Sequence, residues 1–406
     1  MMPQRNTYDV LIAGAGPTGL SAAIAAGRAG LRVAIFERSK EIGYPIHTSG
    51  GSWIAELRRL GVPERFMHPI HTGKFLAPNA TASFSYASPV SCILDVRGLY
   101  QFLAAQAAEA GAAIYPGAAV ERALVQNDRP AGLVVRQHGE FFAPLLIDAT
   151  GAAGVLARQM NLRGPITRYG LGAEYDLYWP DWPDDTIALL FGSLAGPAGY
   201  GWIFPHGASR ARIGIGVIHP DTKAEPRPLL DHLLRRQQIA GFPVPSHSAL
   251  EFHLGVIPAA PPLAKTSAAG LLVAGDAGGL ISTLLGEGIR FALDIGGMAG
   301  EVAIEAHRAG RFDAAFLERF ETRWRNRYGW LFARGYEINR RLAQYDDNAW
   351  NEKIALLAQF PAEAIPDLLK GDFSAPLLLS LLWRYRQHFG RKMLQYLFVQ
   401  NIRKKA

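Results

Sequence analysis

The sequence holds a single cysteine, Cys92, among 406 residues. One thiol excludes an internal disulfide, a Cys-x-x-Cys redox pair and any multi-thiolate metal site. No run of about 18 apolar residues is free of charge, glycine and proline, so no transmembrane helix is expected. Met1 to Asn6 is polar and leads straight into a strand pattern, without the features of a secretory leader. A reducing cytoplasm is the expected compartment. His219, His247 and His253 are scattered without ligand spacing, so no metal is expected. No Ser–His–Asp order in a nucleophile-elbow context occurs. Acidic residues are missing after Asp372, where Arg384, Arg386, Arg391, Lys392, Arg403, Lys404 and Lys405 stand. Up to residue 372 basic and acidic residues balance, so the whole net charge of +7 lies in that tail. A balanced body offers no basic face for nucleic acid, and none is expected as a partner. At 49% hydrophobic and 19% charged, the chain can bury cores in two or three units of about 100–200 residues.

What is present is a set of short apolar runs punctuated by glycine. Tyr8 to Ala13 reads as a buried parallel strand, followed by a glycine turn, an alanine-rich helix from Gly19 to Arg28 and a second buried strand from Leu31 to Phe36. This βαβ unit implies a doubly wound sheet. A helix over Gly98–Ala110, a strand near Ala113–Tyr115, a hairpin over Val120–Leu124 and Gly132–Arg136 with an Asn127-Asp128 turn, and a buried strand over Pro144–Asp148 follow. Residues 165–260 change character: Thr186–Phe191, Tyr200–Phe204 and Ala211–Ile218 alternate as antiparallel strands do. The buried type returns at Leu271–Ala274, ahead of a small-residue helix from about Gly288 to Ala309 and a helical remainder. The expected fold class is α/β: a Rossmann-type dinucleotide-binding domain (1–75, 95–160 and 265–310), interrupted by an antiparallel-sheet substrate domain (76–94 and 161–264), with a helical C-terminal region (311–406).

Gly14-Ala-Gly16-Pro17-Thr18-Gly19 occupies the first strand-to-helix turn. The first glycine permits the tight turn, the second lets the backbone approach a pyrophosphate, and the third lets the helix pack on the strand. The positive end of the helix then faces the anion. Glu37, with Arg38 beside it, lies 23 residues after Gly14 at the end of the second strand, where a carboxylate accepts two ribose hydroxyls. This pattern suits NAD and FAD alike. A second glycine segment decides between them: Gly275-Asp276 follows the strand at Leu271, and Gly286-Glu287-Gly288-Ile289 opens the long helix. An aspartate there suits a ribityl hydroxyl, and helix-entry amides suit the polar edge of an isoalloxazine ring. FAD is the expected cofactor. Only one dinucleotide fingerprint is present, so the reductant, NAD(P)H or another donor, is expected to visit transiently.

In this combination the sequence resembles the FAD enzymes of the para-hydroxybenzoate hydroxylase fold. Arg97, heading Arg-Gly-Leu-Tyr-Gln-Phe-Leu, resembles their flavin-contacting arginine, and Asp148-Ala-Thr-Gly151 with Ala157-Arg158 resembles their middle fingerprint. Within that superfamily the chain is most similar to the geranylgeranyl reductases. Tyr200-Gly-Trp202-Ile-Phe204-Pro205 carries the Tyr-x-Trp-x-Phe-Pro motif that lines the isoprenoid tunnel in that family, and Ile42-Gly43-Tyr44-Pro45 resembles its segment after the second strand. Aromatic rings beside a proline suit a rigid apolar wall. The resemblance implies hydride transfer from reduced flavin to a carbon–carbon double bond of a lipophilic, isoprenoid substrate. Two departures stand out. Many members have a Cys-Gly-Glu-Gly stretch where this chain has Thr48-Ser49-Gly50-Gly51, and Thr283 replaces a common proline. His47, Thr48 and Ser49 supply donors instead, either as catalytic groups or as a polar loop holding backbone. His206, next to Pro205, is a further candidate acid near the pocket. A flavin monooxygenase acting on an aromatic or polyketide substrate, and an electron-transfer flavoprotein, are alternative readings of the same fold.

Residues 376–399 keep an apolar side at helical spacing, through Leu378, Leu381, Leu382, Tyr385, Phe389, Met393 and Tyr396. A helical cap on the catalytic domain is expected there. The alternative is peripheral contact with an anionic membrane through the basic edge, and the final Ile402-Arg-Lys-Lys is open to either.

Overall fold

The short apolar runs assemble into a six-stranded sheet whose central strands are buried on both faces. Its order is Ser267–Ala268, Leu271–Val273, Leu145–Asp148, Val10–Ala13, Val33–Glu37 and Ala113–Pro116. All neighbours pair in parallel except Ser267–Ala268, which runs against Leu271–Val273. The computed structural model describes residues 6–127, 129–245 and 247–371. One face of the sheet packs Ile12, Val33, Ile35 and Leu145 against the helices Pro17–Arg28, Val96–Glu109 and Ile289–Ala309. The other packs Leu11, Phe36 and Leu146 against Leu133 and Phe141 of an antiparallel three-stranded sheet, Val120–Gln126, Arg129–Val135 and Gly139–Phe142. This is the α/β architecture expected from the sequence.

The second layer is a seven-stranded sheet in the order Ala249–Pro258, Tyr169–Tyr178, Arg210–His219, Gly199–Pro205, Thr186–Leu190, Thr72–Ala77 and Ala80–Ser85. Two details differ from the sequence reading. Thr186–Leu190 runs parallel to Thr72–Ala77 within an otherwise antiparallel sheet. The chain also enters this layer at Thr72, so the division at 75/76 falls inside a strand, because Thr72 pairs with Thr186 far along the chain. A small sheet of Gly51–Trp53, Ser91–Leu94 and Met67–Ile70, not foreseen, bridges the layers. One face of the large sheet buries Ala173, Ile203, Ile213 and Ile215 under the helix Pro226–Leu234. The other packs Phe75, Leu189, Phe191 and Trp202 against Trp350 and Ile354 of the helix Asp347–Leu357, with Phe191 and Trp350 stacked at 4.4 Å. The expected cap or membrane contact at 376–406 lies outside the described residues, as does Asp128 of the hairpin turn.

Candidate functional site

At the first crossover the backbone leaves no room for a side chain. A Cβ on Gly14, whose φ is +100°, would stand 2.2 Å from the Ala149 carbonyl oxygen, and one on Gly19 would stand 2.0 Å from the Gly14 oxygen. Gly16, at the N-cap of the helix beginning with Pro17, has open space around it, so its surface is free for an incoming phosphate. Glu37 is fixed by this loop: one oxygen accepts from the Ala15 amide at 3.0 Å, the other from the Ser39 amide at 2.8 Å. A carboxylate oxygen has a second lone pair for a ligand hydroxyl. Arg38 is exposed at the same strand end.

The two glycine segments meet here. A Cβ on Gly275, at φ +64°, would stand 2.3 Å from the Thr18 hydroxyl. Asp276 follows, half-buried, its carboxylate without a hydrogen-bond partner among the described residues; burial pushes it up to about 6 against the nearby Arg163 charge. Arg163 is held in place by donating to the carbonyls of Asp276 and Ala277. An acceptor carboxylate left open at a strand end, an open Gly16 and an anchored Glu37 together fit the ribityl, pyrophosphate and ribose parts of FAD. Asp148 of the middle fingerprint is a structural residue, fully buried and bonded to Thr150 and the Ala157 amide. Arg97 sits apart from the cavity lining, half-exposed and paired with Glu41 at 2.5 Å.

Between the two sheets lies a cavity of about 270 Å³. Gly286, Gly288 and Ile289 line it from the cofactor side, and His47, Thr48, Tyr200, Trp202 and Phe204 line it from the other. All five candidate catalytic residues are thus gathered in one space. Tyr200, Trp202 and Phe204 share one face of their strand, with neighbouring ring centroids 5.7 and 6.4 Å apart. The indole can lie flat because the strands beneath carry glycine: a Cβ on Gly214 would stand 2.3 Å from the Trp202 ring. Trp202 Nε1 donates to Glu174 at 2.6 Å, and the Tyr200 hydroxyl donates to the Leu285 carbonyl at 2.6 Å, fastening the wall to the turn at Gly286. Phe75, Leu189, Phe191, Leu342, Trp350 and Ile365 extend the apolar lining. His47 is exposed, with Nδ1 on the Leu254 carbonyl at 2.8 Å, so it anchors its loop to the edge strand. His206 lies outside the lining and is bonded to Asp176 at 2.9 Å. The expectation that it stands by the pocket is corrected: position 206 follows the last residue of its strand, beyond the cavity.

Several residues of the site escaped the sequence reading. Glu287 accepts from Ser52 and Trp53 at 3.3 Å and from Arg290 at 2.7 Å. Burial pushes its carboxyl up, while the Arg290 charge opposes this. Glu174 and His253 both line the cavity and face each other across adjacent strands at 2.9 Å. The one available signal was a pair of acids two apart, Glu174 and Asp176, in an otherwise apolar strand. Thr283, singled out from the sequence as a departure from proline, is buried, and its hydroxyl has no hydrogen-bond partner among the described residues.

The parallel sheet, its glycine crossover and the cavity at the Gly286 turn define an FAD-dependent oxidoreductase. Residues 9–160 match the FAD dependent oxidoreductase family, and residues 171–256 match the geranylgeranyl reductase catalytic domain. A digeranylgeranylglycerophospholipid reductase of Methanothermobacter thermautotrophicus is 32% identical over 373 residues, covering 89% of this chain and 94% of that protein. Another of Methanococcoides burtonii is 28% identical over 405 residues, covering 96% and 97%. A geranylgeranyl bacteriochlorophyll reductase-like protein from Thermoplasma acidophilum has the same fold, with a TM-score of 0.82 at 22% identity over 95% of this chain and 100% of that one. The chain belongs to the geranylgeranyl reductase family of FAD-dependent oxidoreductases.

Proposed function

We propose that the protein saturates carbon–carbon double bonds of a polyprenyl lipid of the digeranylgeranylglycerophospholipid class. The observation that carries this reading is the cavity itself, walled by Tyr200, Trp202 and Phe204 and reaching the turn at Gly286 and Gly288. A flexible polyprenyl chain gains from burial against rings of this kind, and once seated it would exclude water from the reduced cofactor. When bound, the flavin supplies a hydride. Gly14, Gly16, Pro17, Thr18, Gly19, Glu37 and Arg38 would hold its dinucleotide part, Gly275 and Asp276 its ribityl chain, and Gly286, Gly288 and Ile289 its ring edge. Arg97 would reach it only on leaving Glu41. The aromatic wall would orient the alkene, while Tyr200 keeps that wall bonded to the turn. A nicotinamide or another donor recharges the cofactor between turnovers. No helix among the described residues is long and apolar enough to cross a membrane.

The test is anaerobic turnover. Dithionite- or NADPH-reduced protein is mixed with a digeranylgeranyl lipid, and the lipid mass is followed. A gain of two hydrogens per double bond without oxygen supports the reading. Oxygen consumption coupled to an oxygenated product would establish a monooxygenase instead. Flavin binding without turnover of any alkene would point to electron transfer.

A further inference from the structure

Saturating a double bond takes a hydride and a proton: the π bond breaks and two C–H bonds form. The cofactor provides the hydride, and the proton must reach the apolar cavity wall from elsewhere. None of the aromatic wall residues is suited to deliver it. Tyr200 is the only hydroxyl among them, and burial beside Glu287 pushes it well above the ordinary tyrosine range.

A line of titratable groups runs from the surface to the cavity wall. Glu251, its side chain 38% exposed, has Oε2 3.1 Å from His253 Nε2. His253 Nδ1 is 2.9 Å from Glu174 Oε1. The side chains of His253 and Glu174 are 6% and 4% exposed. The other oxygen of Glu174 holds the Trp202 indole at 2.6 Å, and Ser49, on the cavity lining, stabilises the same carboxylate. The pairing is set by register, since Glu174 and His253 are direct cross-strand partners. The surroundings are charged and packed from every side. Arg212 Nε stands 4.0 Å from Glu174 and 3.9 Å from Asp176, and Asp176 also binds Arg210 and His206. Arg210 reaches Glu251 at 3.0 Å. Three carboxylates, Glu174, Asp176 and Glu251, thus face two guanidiniums and two imidazoles, His206 on Asp176 and His253 between Glu174 and Glu251. Burial works against a charged His253, but its hydrogen bonds to Glu174 and Glu251 outweigh this and raise its pKa above the ordinary value.

We infer that Glu251, His253 and Glu174 form a proton relay from solvent to the reaction cavity, with His253 as the stored proton. In each turnover His253 passes its Nδ1 proton to Glu174, which itself lines the cavity and passes one to the carbon that does not receive the hydride. The neutral ring left behind keeps its Nε2 proton, so resetting requires the ring to turn its bare Nδ1 away from Glu174 toward the solvent side, where a proton delivered by way of Glu251 restores the imidazolium. Charge is conserved, and the only reductant needed is the reduced cofactor. His253 and Glu251 act through Glu174 and are positioning residues. The inference rests on the proposed alkene reduction.

The test uses FAD-loaded full chain and single-turnover reoxidation by a digeranylgeranyl lipid. His253→Asn is expected to slow reoxidation by about 100-fold, at the low end of what a positioned proton donor contributes. It should also enlarge the solvent deuterium isotope effect and shift the alkaline limb of the pH profile to lower pH. Glu251→Gln, at the exposed end, should slow the reaction less and be partly rescued by small buffer acids. It carries the test if His253→Asn fails to retain flavin. Unchanged rate, pH profile and isotope effect in the folded variants would overturn the relay while leaving alkene reduction intact. Absence of lipid-dependent reoxidation in the unsubstituted protein would instead overturn the reductase reading. In that case ¹⁵N-histidine NMR of the holoprotein still decides: a ring at position 253 that is mostly imidazolium at pH 6.5, the ordinary histidine midpoint, is expected, and a mostly neutral ring there would refute the stored proton.

Discussion

Replacing Gly214 with alanine probes the wall of the cavity from beneath. The new Cβ would stand 2.3 Å from Trp202 Cζ2, 2.4 Å from Cε2 and 2.8 Å from Nε1. Ordinary carbon contacts lie near 3.5–4.0 Å, so the indole must lift by about 1 Å or more. It cannot slide aside freely, because Tyr200 and Phe204 flank it at 5.7 and 6.4 Å. Overpacking of this kind costs about 1–3 kcal/mol. Lifting Nε1 also strains its 2.6 Å bond to Glu174, and a hydrogen bond to a charged group contributes about 1.5–3 kcal/mol. The expected loss is about 2–5 kcal/mol, since the two costs overlap. Neighbouring glycines grade the effect. An alanine at Gly216 would meet the same ring at 3.3 Å, and one at Gly172 at 3.5 Å, an ordinary contact. Gly172→Ala should be neutral or stabilising by up to about 1 kcal/mol, because glycine is a poor strand residue. Urea unfolding of FAD-loaded variants, followed by far-UV circular dichroism, measures the order. Gly214→Ala should be least stable, Gly216→Ala intermediate, and Gly172→Ala near the unsubstituted protein. Equal midpoints for all three would refute the claim that the bare strands hold the indole.

Asp276 gives a pH dependence whose sign is fixed. Its folded value near 6 lies above the ordinary 3.8, so ionisation opposes the cofactor-free fold by no more than about 3 kcal/mol above pH 6, and the cost disappears below pH 4. Ribityl hydroxyls donating to the carboxylate would relieve that cost. FAD affinity should therefore rise between pH 4 and 6, with proton release on binding measured by calorimetry in two buffers, and Asp276→Asn should abolish both. Glu287→Gln leaves the buried Arg290 without its 2.7 Å carboxylate and should cost about 3 kcal/mol or more in urea unfolding. A loss below about 1 kcal/mol would show that Arg290 finds other compensation.

The parallel sheet was legible because strands buried on both faces read as unbroken apolar runs, and Leu145–Asp148 and Leu271–Val273 fall where those runs stand. The aromatic wall was legible for a related reason, since Tyr200, Trp202 and Phe204 alternate in one short strand. What stayed hidden depends on pairings between distant segments. Thr72–Ala77 joins the second sheet through Thr186–Leu190, and nothing local to it says so. Glu174 meets His253 only through the register of strands about 80 residues apart, so the acids at 174 and 176 marked their strand without showing that a histidine faces it. Asp276 was visible because it follows a glycine at a strand end. Its missing partner was not.

The bonds that reach the turn at Gly286 from the strands, Tyr200 to Leu285 and Ser52 and Trp53 to Glu287, join the aromatic wall and that turn into one mechanical unit. Whatever orders the turn at Gly286 must also order the aromatic wall, and the reverse. By thermodynamic reciprocity, cofactor and lipid should then strengthen each other's binding by one and the same factor. Tyr200→Phe, which removes the hydroxyl and keeps the ring, is expected to shrink that factor while leaving each ligand's separate affinity nearly unchanged. The enzyme would thereby retain its flavin most firmly while a lipid is aboard, and release an empty cofactor more readily than a working one.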